Sequence, residues 1–262
     1  MKAAALKPKL YVYAIVPRLD DRILGPIGLD TSTVHSITGG SLSAFVSEIA
    51  GRFRPERRHL AAHQEVLRQL MDVAPAVLPM AFGMVAEDGK VMHRILSRNQ
   101  RSLREQLERV HGRVEMGLRV TWDVPNIFEY FVATHEELRV TRDRFFGGHR
   151  EPMQDDKIEV GRLFDRLLTE DRETHGARVE EILAPCCDEI KPNTTRGETE
   201  VFHLACLVQR DRQPAFEAAV FEAAKLFDNS YAFDYSGPWA PHNFVDLALD
   251  LRPGHAAAHA HG

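Results

Sequence analysis

At 262 residues with 44% hydrophobic and 27% charged side chains, the chain has the makeup of a globular protein with room for one large or two modest cores. A formal net charge of -5 excludes the basic footprint of a nucleic-acid binder, and no apolar run reaches the ~20 residues that cross a bilayer.

The first nine residues are interrupted by Lys7 and Pro8, so they lack the apolar core of a signal peptide and the expected location is the cytoplasm. Leu10–Val16 is apolar or aromatic on both faces, the pattern of a strand central to a covered sheet. Val34–Thr38 and Leu42–Ile49, joined through Gly39-Gly40, predict a β-hairpin. A helix is expected from Pro55 to Met71, then an edge or irregular strand over Ala76–Gly83, which contains Pro79. The spacing of Met92, Ile95, Leu96, Leu103, Leu107 and Val110 predicts one helix over Glu87–His111, stopped at Gly112. Val114–Trp122 alternates as a half-buried strand. This order implies an α+β domain over residues 1–124.

From Pro125 the pattern turns helical. Pro125–Phe146 and Lys157–Leu183, separated by Gly147-Gly148 and Pro152, predict a connector over residues 125–185. Its apolar stripes are Ile158, Leu163, Phe164, Leu167 and Leu168, then Val179, Ile182 and Leu183. Strands are expected at Cys187–Lys191 and Glu200–Gln209, a helix at Pro214–Phe227, and strands at Tyr231–Ser236 and Phe244–Leu251. With the helix before Cys186, residues 186–253 give an αββαβ order that resembles a ferredoxin-like domain. Residues 254–262 read as a flexible tail bearing His255, His259 and His261.

Between the last two expected strands lies Gly237-Pro238-Trp239-Ala240-Pro241-His242-Asn243-Phe244. Gly237 opens a backbone region closed to other residues, while Pro238 and Pro241 fix one dihedral each. Trp239 and Phe244 on so stiff a loop either close the end of a core or present a partner surface. Both readings stand at the level of sequence.

Catalytic chemistry finds little support. His59 and His63 have the four-residue spacing of a metal-binding helix, but Leu60 replaces the glutamate that such a helix uses as base, and His63 falls on the apolar face. Three cysteines, Cys186, Cys187 and Cys206, include no Cys-x-x-Cys and read as reduced structural thiols, with His203 the one base that could activate them. Phosphate-cradling glycine motifs and the Gly-x-Ser-x-Gly nucleophile motif are missing. Arg52, Arg54, Arg57 and Arg58 read as a solvated helix start, and Asp155-Asp156 as helix caps. No metal, cofactor or catalytic residue is expected.

Four stretches in order resemble motifs of the gas vesicle GvpL/GvpF family: Tyr11-Val12-Tyr13, His59–Val66, Val77–Gly83 and Gly112–Glu115. The loop Gly237–Phe244 resembles that family's C-terminal signature, with His242 where Tyr is usual. The likeness runs from about Leu10 to Leu251. It implies two ferredoxin-like units joined by a helical connector, no enzymatic activity and no cofactor. It implies a minor gas vesicle protein needed for vesicle formation, located in the cytoplasm and at the vesicle. Its expected partners are the hydrophobic major shell protein and other gas vesicle proteins, not nucleic acid or membrane. Gly237, Pro238, Trp239, Pro241 and Phe244 are the candidate contact residues. The competing class is a small-molecule or metal-dependent enzyme on a ferredoxin-like scaffold, which would need a pocket around His203 and Cys206.

Overall fold

The structure is a computed structural model that describes residues 8–19, 22–50, 54–147, 153–247 and 249. The chain divides into two compact units, residues 1–114 with 239–262, and residues 115–238. Each is a mixture of helices and one sheet.

Unit 1 is built on β1 (Lys9–Pro17), whose residues from Tyr11 to Val16 are at most 1% exposed. Such a strand must be covered on both faces and paired on both sides. It pairs antiparallel with β4 (Leu42–Ile49) on one side, and with the two-residue strands β5 (Leu78–Pro79) and β6 (Val85–Ala86) on the other. β3 (Val34–Gly39) and β2 (Ile23–Gly25) extend the sheet beyond β4. The β3–β4 hairpin closes at the Gly39–Leu42 pair, and Gly40 takes the positive φ of 63° that the tight turn requires.

Helix α1 (Arg57–Val73) buries His63, Val66, Leu67, Leu70 and Met71. The single helix expected over Glu87–His111 is two, α2 (Gly89–Arg98) and α3 (Gln100–Arg109). They are separated at Asn99, whose side-chain amide donates to the Ile95 carbonyl. An Asn that binds the preceding turn competes with the backbone ladder, which ends α2. The Ala76–Gly83 run contributes only β5, which contains Pro79, to the sheet, and the rest is irregular.

Unit 2 takes most of β7 (Arg113–Trp122), followed by α4 (Ile127–Thr134), α5 (Glu136–Phe146), α6 (Gln154–Leu183), β8 (Glu189–Asn193), β9 (Glu200–Gln209), α7 (Gln213–Ala224) and β10 (Tyr231–Trp239). The strand order is β10-β7-β9-β8. β7 was expected to close the N-terminal domain; it lies inside this second sheet, with α4, α5 and α6 between the sheet's first two strands in sequence and α7 between its last two. Unit 1, in contrast, runs four strands before its first helix, so the two sheets are not copies of one plan.

The expected Pro125–Phe146 helix breaks at His135, which stacks on Phe131 at 4.7 Å and reaches Asp171 at 3.4 Å. α6 is continuous through Gly176. Its buried stripe begins at Val160 and includes Phe164, Leu167, Leu168, Val179 and Leu183, while Ile158 is 40% exposed. Asp156 accepts from the Met153 N–H at 2.8 Å, the capping role read for it.

The last expected strand, Phe244–Leu251, does not form among the described residues. β10 instead runs on to Trp239, and His242–Phe244 is a short 3-10 turn. Val245–Leu247 belongs to neither sheet. Leu251 and the tail from His255 lie outside the described residues, as does Arg52.

Candidate functional site

The functional candidate in unit 1 grows from α1 and β1. Tyr11 and Tyr13 on β1 and His63 on α1 are each at most 1% exposed. A buried polar atom must be paired. The Gly83 N–H donates to the Tyr11 hydroxyl at 3.1 Å, and that hydroxyl lies 2.9 Å from His63 Nδ1. Tyr13 takes the Leu29 N–H at 2.8 Å and meets Ser47 Oγ at 2.8 Å. Phe82 stands edge-on to both Tyr11 and His63.

Burial, followed by the His242 ring with its centroid 6.5 Å away, pulls the His63 pKa down to about 4. The imidazole is therefore neutral at physiological pH. Burial likewise pushes the Tyr11 hydroxyl up to about 12. These are held, uncharged core groups. His59 is spent elsewhere, with Nδ1 at 3.0 Å from the Arg54 carbonyl and Nε2 at 3.1 Å from Asp30. The two imidazoles do not share a centre, and no group of three or more His, Cys, Asp or Glu that could hold a metal occurs among the described residues.

Over this polar core lies the C-terminal strap of unit 1. Pro241 and Phe244 are buried, Phe244 completely, while Trp239 is 44% exposed and Gly237 and Pro238 are exposed at the end of β10. The Phe244 N–H donates to the Pro241 carbonyl, and the Asp246 N–H to Gln106 on α3. The Asp246 bond ties the strap to α3; Phe244 closes a core, while Trp239 is half-exposed.

Beyond Phe244, Val245, Leu247 and Leu249 form one wall of a groove of about 440 Å³; Pro79, Met80, Ala81 and Met84 form the other, with His242 at its side. The alternation that suggested a strand here does put Val245, Leu247 and Leu249 on one face, but against a groove and not in a sheet. The opposite wall was not recognised from sequence. Its signal was the apolar run Ala76–Gly83, too interrupted by proline to pair along its length.

The thiols of unit 2 give no nucleophile. Cys186 and Cys206 are buried; burial pushes the Cys186 thiol up to about 11, and a hydrogen bond with Cys206 together with burial raises Cys187 further. A thiol so raised stays protonated. His203 is paired with Asn193 at the far end of the β8–β9 ladder, and lies on the opposite face of β9 from Cys206.

Residues 9–246 match the family model described as gas vesicle synthesis protein GvpL/GvpF. The chain is 25% identical to gas vesicle protein F of Nostoc sp. over 91% of this chain and 98% of that protein. It is 27% identical to gas vesicle protein F of Streptomyces sp. over 90% and 99%. Among solved structures, the gas vesicle protein GvpF of Anabaena sp. superposes with a TM-score of 0.80 at 25% identity, covering 92% of this chain and 100% of that one.

Proposed function

We propose, on the premise that this chain belongs to the GvpL/GvpF family of gas vesicle synthesis proteins, that it is a minor gas vesicle protein needed for vesicle formation and acts by covering the apolar face of the major shell protein. It does so during assembly or at the vesicle wall, and it transforms no substrate. The observation that carries this reading is that one chain segment holds a half-exposed Trp239 and, further along, one wall of an apolar groove of about 440 Å³. A very hydrophobic shell subunit exposed to water aggregates, and an exposed aromatic and an apolar groove are the kinds of surface that can shield it. Phe244 and Pro241, being buried, anchor the strap, while Trp239 and Pro238 make the contact. The working location is the cytoplasm and the growing vesicle; among the described residues no helix is long and apolar enough to cross a membrane.

The test is co-purification with tagged shell protein, together with buoyancy of cells in which the gene is deleted and restored. Trp239→Ala should fold normally and weaken shell binding by about 2 kcal/mol, roughly 30-fold, as loss of an aromatic anchor does. A folded Trp239→Ala protein that binds as well as wild type removes the strap from the interface, and deleted cells that still float remove the function.

A further inference from the structure

The sheet of unit 2 ends in two unlike edges, β8 and β10. β8 is five residues long and carries Lys191 and Pro192, devices that discourage the addition of another strand. β10 is nine residues long. Its one charge, Asp234, is held by Arg119 at 2.7 Å, and Asp234 through Pro238 are all exposed.

Register shows which backbone groups face outward. The Asp123 N–H donates to the Ser230 carbonyl at 2.7 Å, which makes every second residue from Ser230 the one that bonds β7. The Arg119–Asp234 ion pair and the placement of Ser236 over Gly117 follow the same register. The N–H and C=O of Phe233 and Tyr235, and the N–H of Gly237, therefore point away from the sheet, and the alternation ends at Gly237, whose φ is 122°.

We propose that this edge pairs with the same edge of a second copy, β10 antiparallel to β10 across a two-fold axis at Tyr235. The strand is self-complementary there. Tyr235 meets the partner's Tyr235, and Phe233 lies opposite the partner's Gly237, where an aromatic ring covers the glycine. Asp234 faces the partner's Ser236 and not another acid. A shift of the axis to Asp234 would set the two acids opposite each other and turn the bonded groups inward, so the register is specified. The outward groups supply about four backbone hydrogen bonds, two between the Tyr235 residues and one from each Gly237 N–H to the other copy's Phe233 carbonyl. An interface of this size belongs with weak, transient ones.

Sedimentation velocity of the full chain, taken up to high micromolar concentration, reads the pairing directly. Wild type should dimerise reversibly, and Tyr235→Lys and Tyr235→Glu should each weaken the dimer at least about 10-fold, because like charges then face across the axis. An equimolar mixture of the two variants should recover it. Should either variant lose its circular dichroism spectrum, Ser236→Asp, which sets an acid against the partner's Asp234, must weaken the dimer by a similar factor. A wild type that stays monomeric, a mixture that does not recover, or a Ser236→Asp protein that pairs as well as wild type overturns the proposal. Capture of a foreign apolar strand by a monomeric wild type overturns it too.

Discussion

His63 carries the protein's clearest pH signature. Its folded pKa is depressed to about 4, whereas an unfolded histidine titrates near 6.5. The unfolded chain therefore binds the proton first, and stability present above about pH 6.5 is lost as pH falls towards 4. The difference amounts to about 3 kcal/mol over that window, with His242, also depressed by burial, acting in the same direction. Urea unfolding of wild type and His63→Gln at several pH values checks this: the variant should have the flatter profile, and equal slopes would clear His63 of the role. Gly237 makes a second residue-scale case. Its φ of 122° is strained for any L side chain, and an added Cβ would stand 2.9 Å from the Glu115 carbonyl oxygen. Gly237→Ala should cost about 3 kcal/mol. Gly112→Ala, with φ of 68° but nothing within 4 Å, should cost only about 1 kcal/mol. Thermal melts of the two variants should separate them in that order.

At the scale of elements, long periodic patterns were readable and breaks within them were not. β1 and β9 follow from runs apolar on both faces, and α6 from helical spacing, which packing reinforces. The divisions of α2 from α3 and α4 from α5 depend on Asn99 and His135 reaching partners, Ile95 and Asp171, that pattern alone does not reveal. The strap was legible as a rigid, aromatic-bearing stretch, but its sides were not, since the burial of Phe244 beside an exposed Trp239 is decided by tertiary contacts. Nor could periodicity show that Ala76–Gly83 would become a groove wall. Arg172 on α6 is another contact invisible in sequence. Its guanidinium donates to the carbonyls of Glu200, Gly197 and Glu198 and lies 5.7 Å from the Trp122 ring, tying α6 to the turn between β8 and β9. Arg172→Ala should cost about 2 to 3 kcal/mol by urea midpoint, because carbonyls lose a charged donor. Arg172→Lys should recover only part, as one ammonium cannot span the fork. Full recovery by lysine would mean that charge alone matters there.

For the molecule as a whole, two kinds of surface compete as the route to a partner. One is the apolar strap and groove, and the other is the charged exterior, including Arg54, Arg57 and Arg58 at the start of α1, where Arg58 is already engaged with Glu56 and Asp30. They respond to salt in opposite ways. Exposed charges are screened beyond about 10 Å at 0.1 M salt, while burial of apolar surface is not weakened by added salt. With a net charge of only -5 over 262 residues, the chain has no strong field to steer a partner from a distance. If the strap and groove make the contact, affinity for the shell protein should change less than about two-fold between about 0.05 and 0.5 M sodium chloride, and Trp239→Ala should lower it equally at both. A loss of 10-fold or more on adding salt would instead place the contact on the charged exterior, and the groove would then have some other occupant.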